Sequence, residues 1–377
     1  MASSSTRQRR QLAATSSSAA DPYTKTDKSR RSGKEEEKGG EEVGWIVTVV
    51  IGLGMLRYMS ATSNIIHDCD EVFNYWEPLH FLLYNSGFQT WEYRQGNHPH
   101  SLLLFLLFSQ FALRSYLYIN FHQLVGAPAS WFFSLFVPDD LNPKVRVFYA
   151  VRLFLGAISV VADATLVVAL SRNYGKRLAS YALAMLCLTS GCFFATTSFL
   201  PSSFSMYAMS LSSGLFLLGK HASAVAVASV GVLLGWPFSI LAFLPITFYS
   251  LAKRFKPTFA AGALTSLALL GLSLLVDYHY YGRWTSSILN LLLYNVKSGG
   301  ESHLYGVEGP LFYLRNGFNN FNVCFILALL LPLIFPIARR KYGPDLLIVV
   351  SPLYIWLGFM SLQPHKEERF AFSSCCI

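Results

Sequence analysis

Long apolar runs dominate the sequence from Val43 onward, and most are close to the length of a membrane-crossing helix. An α-helix rises 1.5 Å per residue, so about 20 apolar residues cross the roughly 30 Å hydrocarbon core of a bilayer. The sequence predicts spans at residues 43–62, 147–170, 178–198, 204–219, 222–235, 238–252, 258–276, 321–338 and 346–362. The two runs that flank Trp236 and Pro237 fit either a tight helical hairpin or one broken helix.

The composition favours the same class of protein. Apolar residues make up 53% of the 377 residues and charged residues only 14%, against about 25% charged residues in an ordinary soluble protein. The six cysteines form no CxxC pair and no metal-ligand spacing. These features argue against a cytosolic enzyme or a secreted disulfide scaffold. They predict an all-α, polytopic transmembrane helix bundle with amphipathic helices in a long first loop.

The net charge of +9 follows the topology. Alternation of the spans places the long segments 63–146, 277–320 and 364–377 on one side of the membrane. The short loops on the other side carry a single acid, Asp345, and ten basic residues: Arg172, Lys176, Arg177, Lys220, Lys253, Arg254, Lys256, Arg339, Arg340 and Lys341. The positive-inside rule therefore predicts that these loops and the N-terminus are cytosolic. We interpret the positive charge as a topology signal and expect no nucleic-acid partner.

Residues 1–42 differ in composition from the rest of the chain. They are rich in Ser, Thr, Ala and charged residues and contain almost nothing apolar to bury, which predicts a disordered cytosolic tail. The tail has no apolar stretch of its own and so is not a cleavable signal peptide.

The densest polar segment, residues 67–80, follows the first span. Helical spacing places Asp70, Asn74 and Glu77 on one face and an apolar set on the other: Val72, Trp76, Leu79 and Leu83. The segment is typical of an amphipathic helix at the membrane surface, kinked near Pro78. Its acids, Asp68, Asp70 and Glu71, suit a helix N-terminus through capping and the helix dipole. Alternatively, one of them is a general base at the water–lipid boundary.

A second polar segment, residues 363–370, follows the last predicted span on the same side. His365, Lys366 and Arg369 could hold a phosphate at the bilayer surface, oriented by Glu367 and Glu368. A membrane-exit cluster with internal ion pairs is the alternative.

Two weaker features remain. Arg152 and Asp163 are three helical turns apart and share one face of a span, where charges usually face the bundle or a cavity. The loop 277–320 contains Asp277, His303 and Tyr305, with glycines that suit a substrate-covering loop. A plain connector explains that loop equally well.

Several motifs together resemble a known family. They are HDCDEVFNYWEPLHFLLYNSGFQTWEY (67–93), FALRSYLYI (111–119), KVRVFYAVRLFLG (144–156), TSFLPSSFSMYAMSLSSG (197–214), GWPFSILAFLP (235–245), NGFNNFN (316–322) and SLQPHKEERF (361–370). In this order they resemble the GT-C class mannosyltransferases of glycosyltransferase family 22, and within it the alpha-1,2-mannosyltransferases of N-glycan precursor assembly. The resemblance extends from about residue 43 to residue 370.

The resemblance implies a multi-pass enzyme of the endoplasmic reticulum membrane, with the long loops in the lumen. It would transfer mannose from dolichyl phosphate mannose, with inversion and in alpha-1,2 linkage, to a dolichyl-diphosphate oligosaccharide for N-glycosylation. It places the family's acidic motif on Asp68, Asp70 and Glu71, with Asp70 as the base. The candidate substrate-binding residues are His365, Lys366, Glu368, Arg369, Trp76, Glu77, Arg114, Arg152, His303 and Tyr305. Apart from the donor substrate we expect no cofactor and no metal.

The sequence departs from the family pattern in two places. Residues 94–108 form an apparent insert in the first lumenal loop, and residues 371–377 form a non-family tail in place of the rest of the family domain. The domain is thus predicted over residues 43–370, and a catalytically inactive spliced or truncated form stays open. A sister mannosyltransferase of the GPI anchor or of another lipid-linked glycan is a second alternative. A transporter or lipid scramblase is a third, but such folds often contain internal repeats, and we find none in this sequence.

Overall fold

The computed structural model describes residues 22–93, 112–136, 143–297 and 308–362. All regular structure in these ranges is helical, as the sequence predicts. The α-helices of these ranges are α1 Pro22–Ser63, α2 Cys69–Glu71, α3 Glu77–Tyr84, α4 Tyr116–Phe136, α5 Pro143–Tyr174, α6 Lys176–Leu188, α7 Ser190–Ala195, α8 Pro201–Leu217, α9 His221–Val230, α10 Ile240–Lys253, α11 Phe255–Tyr281, α12 Ser287–Lys297, α13 Phe312–Leu330, α14 Phe335–Tyr342 and α15 Pro344–Leu362. Two π-helical turns, Val72–Trp76 and Gly231–Gly235, and 3₁₀ turns at Trp91–Tyr93, Pro237–Ser239 and Leu331–Ile334 complete the secondary structure of these ranges.

The chain divides into two units, residues 1–48 and residues 49–377. The first unit contains the beginning of α1, whose backbone is helical from Pro22 onward. The disorder that the sequence predicts for residues 1–42 stays a prediction. The Lys and Glu residues of the segment 34–38 are good helix formers, and a helix nucleated in an apolar span can extend through such residues. Residues 1–21 lie outside the described part of the chain.

Within the described ranges, four helical segments are long and apolar enough to cross a bilayer. They are Gly39–Ser63, Lys144–Tyr174, Phe255–Tyr281 and Pro344–Leu362. The shorter apolar segments His221–Gly235, Pro237–Lys253 and Phe325–Ile337 coincide with further predicted spans. The predicted span 178–198 is divided into α6 and α7 by the extended backbone of Thr189.

The centre of the second unit is α8, in which 14 of the 17 residues are buried. A helix that is apolar or small on all sides belongs in the core. Its Ser, Ala and Gly residues let neighbouring helices come close. At Gly214 a Cβ atom would lie 2.9 Å from the backbone of Leu166 in α5, so only glycine permits this crossing.

The basic loops meet at one end of the second unit. Beside Arg172, the Asn173 side chain donates to Leu217 O at the end of α8. The rings of Tyr174 and Tyr342, at the ends of α5 and α14, lie 6.0 Å apart. The loops that contain Arg172, Lys220 and Arg339–Lys341 are therefore neighbours, and we call this end of the unit the basic end.

The segment around Trp236 is a helical hairpin. His221 at the start of α9 lies 3.3 Å from the hydroxyl of Ser250 near the end of α10 (Nδ1 to Oγ). The chain therefore leaves the basic end in α9, turns at Trp236 and returns in α10. This decides between the two arrangements that the sequence left open, and it keeps Lys220 and Lys253 on the same side.

Candidate active site

The acidic motif begins a helical stretch, residues 69–84, at the end of the unit opposite the basic end. The stretch is wound as a π-helix between Val72 and Trp76, where the N–H of Glu77 donates to Val72 O. Pro78 has no N–H to give to Asn74 O, and the hydroxyl of Tyr93 donates to that carbonyl instead, at 2.6 Å. The structure thus has a π-helical turn just before Pro78, where the sequence predicts a kink.

Asp68 and Asp70 lie at the half-exposed start of this stretch. Asp68 caps α2, because its Oδ1 accepts the N–H of Asp70 at 2.9 Å. Asp68, Cys69 and Asp70 each offer a ligand atom, and the three atoms lie within 4.8 Å of one another. Among the described residues this is the group that could hold a metal ion by distance. Exposed acids of this kind are common without one, and we assign it no metal.

Glu71 is buried, with 3% of its surface exposed. Its Oε1 accepts the backbone N–H of Phe199 at 2.9 Å and the indole N–H of Trp76 at 3.1 Å. Burial raises the pKa of Glu71 above its ordinary value of 4.5, although these two donors and the charge of Arg152 oppose the shift. Glu71 thus connects the motif to the segment before α8, and the catalytic role that the resemblance implies for it stays a prediction.

Trp76 and Glu77, both candidate substrate-binding residues, have structural partners. The Trp76 ring packs on Phe148 and Phe199, with ring centroids 4.6 and 4.9 Å apart. Glu77 accepts the N–H of Phe88 at 3.0 Å and so closes the turn after α3.

Arg152 is also a structural residue. It is 3% exposed, and its guanidinium donates to the carbonyls of Ser60 and Asn64 and to the Thr197 hydroxyl. The cation thereby caps the C-terminus of α1, where free carbonyls concentrate negative charge. It does not pair with Asp163, the residue three turns along the same helix.

Asp163 forms a buried ion pair with Arg57 instead. Arg57 Nη2 and Asp163 Oδ2 are 3.0 Å apart, and the two side chains are 2% and 6% exposed. The Ser159 hydroxyl donates to the same carboxylate oxygen at 3.2 Å. Periodicity identified the inward face of α5 correctly, but the partner comes from α1.

Arg114 lies beside a cavity and is held firmly. It forms a bidentate pair with Glu92 at 2.7 and 3.2 Å, and its third nitrogen donates to the Tyr75 hydroxyl at 2.6 Å. Glu92 and Tyr75 are therefore functional candidates that sequence reasoning missed. Both residues lie within the family motif 67–93, so the resemblance could have indicated them.

The cavity is lined by residues of five segments: Tyr75, the segment 113–118, Pro201, the segment 233–237 and α12. Six of the lining residues are aliphatic: Leu113, Leu117, Leu233, Leu234, Ile288 and Leu291. Arg114 is the charged residue in this lining, and Tyr75, Tyr118 and Trp236 are the aromatic ones. The π-turn 231–235 places Trp236, because the Trp236 N–H donates to Gly231 O at 3.0 Å and to Ser205 Oγ at 2.7 Å. A cavity of this composition suits a ligand with one anionic group and an apolar remainder.

The chain leaves and re-enters this site at the same place. Leu113 N–H donates to Glu92 O at 2.8 Å, and the Arg114 pair with Glu92 reinforces this contact. Tyr93 and Ala112 share one hydrophobic cluster. The residues on either side of the apparent insert 94–108 are thus neighbours at the same end of the unit. The predicted alternation of the later loops between the two sides of the membrane is therefore kept. The insert itself lies outside the described residues.

The remaining candidate residues also lie outside the described part of the chain. They are His303, Tyr305, His365, Lys366, Glu368 and Arg369. Their placement relative to Asp70 stays a prediction.

A model of the Alg9-like mannosyltransferase family matches residues 45–374. The chain belongs to this family. It is 69% identical over 351 residues to the alpha-1,2-mannosyltransferase ALG9 of Arabidopsis thaliana, an alignment that covers 93% of this chain and 57% of that protein. It is 38% identical over 326 residues to the ALG9 of Mus musculus, covering 84% of this chain and 50% of that protein. The chain thus spans about half the length of these Alg9-like relatives.

A solved structure supports the fold expected of an Alg9-like chain. ArnT from Cupriavidus metallidurans, solved bound to undecaprenyl phosphate, superposes with a TM-score of 0.50 at 15% identity, over 88% of this chain and 58% of ArnT. At this identity the likeness concerns the fold alone. The predicted GT-C type bundle is therefore confirmed, and the chain is a multi-pass membrane protein.

Proposed function

We propose that this chain transfers mannose from dolichyl phosphate mannose to a dolichyl-diphosphate-linked oligosaccharide, in alpha-1,2 linkage, at the lumenal face of the endoplasmic reticulum. The family assignment and the names of the relatives support a mannosyltransferase. The observation that carries the proposal is a half-exposed carboxylate, Asp70, in the helical stretch that lines the cavity.

Asp70 is the general base in this proposal. It precedes Tyr75 by five residues in one helical stretch, and Tyr75 lines the cavity. Asp70 is half-exposed and so open to a substrate hydroxyl, whereas Glu71 is buried. This exposure supports Asp70 as the acid that takes the proton.

The reaction needs a base but no strong general acid. The acceptor 2-hydroxyl attacks the anomeric carbon and loses its proton to the Asp70 carboxylate, while the bond from that carbon to the phosphate oxygen breaks. Dolichyl phosphate departs as a stabilised anion, and attack opposite to it inverts the anomeric centre. Cations or hydrogen-bond donors should hold the departing phosphate. The sequence offers His365, Lys366 and Arg369 for this task, with Glu368 beside them.

The cavity is the proposed site for the lipid-linked donor. Its aliphatic lining suits the first isoprene units, and Arg114 offers one positive charge for the phosphate. His303 and Tyr305 belong to the loop before α13 and are the proposed contacts of the sugar. The basic end would then face the cytosol, by the positive-inside rule, and the site would face the lumen.

The test is transfer of radiolabelled mannose from dolichyl phosphate mannose to a purified acceptor lipid by microsomes that contain this chain. Asp70→Asn should lower the rate about 10²- to 10⁴-fold, the usual contribution of a positioned base. Asp345→Asn is the control, because it also removes one acid but at the basic end. Equal turnover by wild type and Asp70→Asn removes the base assignment.

Two further arms separate the alternatives. A GPI-anchor precursor offered in place of the dolichyl-diphosphate oligosaccharide identifies a sister enzyme if it alone is mannosylated. Absence of transfer to either acceptor identifies the catalytically inactive form. An N-terminal tag that resists added protease in sealed microsomes would contradict the proposed orientation.

A further inference from the structure

Asp277 is a fully buried carboxylate that the mechanism above does not use. It lies near the end of α11 and has no exposed surface. Its Oδ1 accepts the Tyr116 N–H and the Ser115 hydroxyl, each at 2.9 Å, and its Oδ2 accepts the Ser287 hydroxyl at 2.8 Å. Ser273 adds a longer contact of 3.5 Å. Burial of a charged group costs free energy that an apolar residue at this position would not cost. The presence of a carboxylate here therefore calls for an explanation.

The partners of Asp277 belong to two different walls of the cavity. Ser115 lines the cavity itself, between Arg114 and the start of α4. Ser287 begins α12, and the next residue, Ile288, lines the cavity from the other side. One carboxylate therefore ties the two walls together, and its negative charge also lies at the N-terminus of α4, where the helix dipole favours it.

Neighbouring contacts extend this connection to Arg114. The Tyr281 hydroxyl, one turn beyond Asp277 in α11, donates to the backbone carbonyl of Arg114 at 2.7 Å. The Asn290 amide of α12 donates to Ala112 O at 3.3 Å. Residues of α11 and α12 thus hold the backbone on both sides of the Arg114 side chain. Glu92 and Tyr75 hold its guanidinium.

We propose that Asp277 is a positioning residue, which holds the 112–118 wall and the α12 wall of the cavity in place for a polyprenyl phosphate-linked sugar. The inference rests on the proposed function, since it takes the cavity to be the donor site. Asp277 acts through Ser115, Tyr116 and Ser287 and touches no reacting atom. Because the walls are held before the ligand arrives, loss of the carboxylate weakens donor binding more than it slows the chemical step.

The test uses the full chain purified in lipid nanodiscs, with Asp277→Asn as the main variant. Asparagine keeps the size and one acceptor oxygen, so the fold is retained, but the charge and the second acceptor are lost. We expect faster amide hydrogen exchange in peptides covering 112–118 and 287–291, because these segments open more often. We also expect about a tenfold increase in the KM for dolichyl phosphate mannose with a smaller change in kcat, given that displacements of about 1 Å can cost on the order of 100-fold.

Two further variants sharpen the test. Ser287→Ala should produce part of the same effect, and adding it to Asp277→Asn should produce little more, because both remove one connection. Ser273→Ala removes a 3.5 Å contact with Asp277 and a 3.0 Å contact with Ser115, so it should produce a smaller effect of the same kind. Ser212→Ala is the matched control, because it removes a buried hydroxyl that donates to Ala224 O and does not line the cavity; its exchange and KM should be close to wild type.

Wild-type exchange and KM in folded Asp277→Asn would overturn the inference, as would a loss confined to kcat. The proposed function can fail separately. If the wild-type chain transfers no mannose, amide exchange in wild type and Asp277→Asn still tests the positioning role. Equal exchange of the two proteins in both peptides then refutes it.

Discussion

Glu71→Gln compared with Asp70→Asn separates the two acids that lie next to each other in the motif. Both substitutions replace a carboxylate by an amide of the same shape. Glu71 is 3% exposed and bonds to Phe199 and Trp76, whereas Asp70 is half-exposed at the start of the stretch. The two acids thus differ in burial, and the proposed mechanism gives the chemical role to the more exposed one.

The expected magnitudes follow from the contacts. The glutamine oxygen can still accept both donors, but two charge-assisted bonds become neutral ones, at a loss of about 1–3 kcal/mol. Burial opposes this loss, because it already disfavours the ionised form of Glu71. Because the pKa of Glu71 is raised, desolvation outweighs these bonds, and Glu71→Gln should leave the stability at neutral pH close to wild type. Glu71→Ala leaves both donors unsatisfied and costs about 2–6 kcal/mol.

The assay measures the transfer rate and the thermal unfolding midpoint of each variant in the same preparation. Glu71→Gln should transfer mannose at a rate close to wild type and unfold at a midpoint close to wild type. Asp70→Asn should unfold like wild type and lose about 10²- to 10⁴-fold in rate. If Glu71→Gln loses the rate and Asp70→Asn keeps it, the assignment of the two roles is refuted.

Three further predictions concern stability. Burial raises the pKa of Glu71, so the folded protein holds this proton more tightly than the unfolded chain. The resulting stabilisation is present below pH 4.5 and is lost as the pH rises through the folded pKa. The unfolding midpoint of wild type should therefore fall relative to that of Glu71→Gln over this pH range. Asp163→Ala leaves the buried Arg57 cation unpaired and should lower the free energy of unfolding by about 3–5 kcal/mol. The double variant Arg57→Met with Asp163→Leu should recover most of that loss, and a double variant as unstable as Asp163→Ala would contradict the expectation. Deletion of residues 94–108 should leave the unfolding midpoint close to wild type, because Glu92 and Leu113 remain bonded, and an aggregated product would show that the segment is needed for folding.

The topology was accessible from the sequence because it depends on local quantities. Apolar run length, the positions of polar breaks and the distribution of basic residues predicted helices that the structure contains, including α5, α8, α11 and α15. The hairpin at Trp236 could not be decided in this way, because the two alternatives have the same local sequence. The contact between His221 and Ser250 decides it.

The faces of the acidic motif were predicted less well. Regular helical spacing puts Asn74 on the polar face with Asp70, whereas Asn74 is 4% exposed and accepts the Thr90 hydroxyl at 2.8 Å. The π-turn 72–76 adds a residue to one turn and so rotates the residues around it. Its cause includes the Tyr93 contact, which comes from a residue 19 positions away.

Amino-acid order alone determined that this chain is a helical membrane protein with an acidic motif on the face opposite its basic loops, since hydrophobicity and charge act residue by residue. The family motifs within that order identified the family. Tertiary structure alone decided which charges are partners: Arg57 with Asp163, Arg114 with Glu92, Asp277 with the N-terminus of α4. Inside a bundle the desolvation of a charge is offset only by groups within about 4 Å, and which groups come that close depends on how distant segments pack.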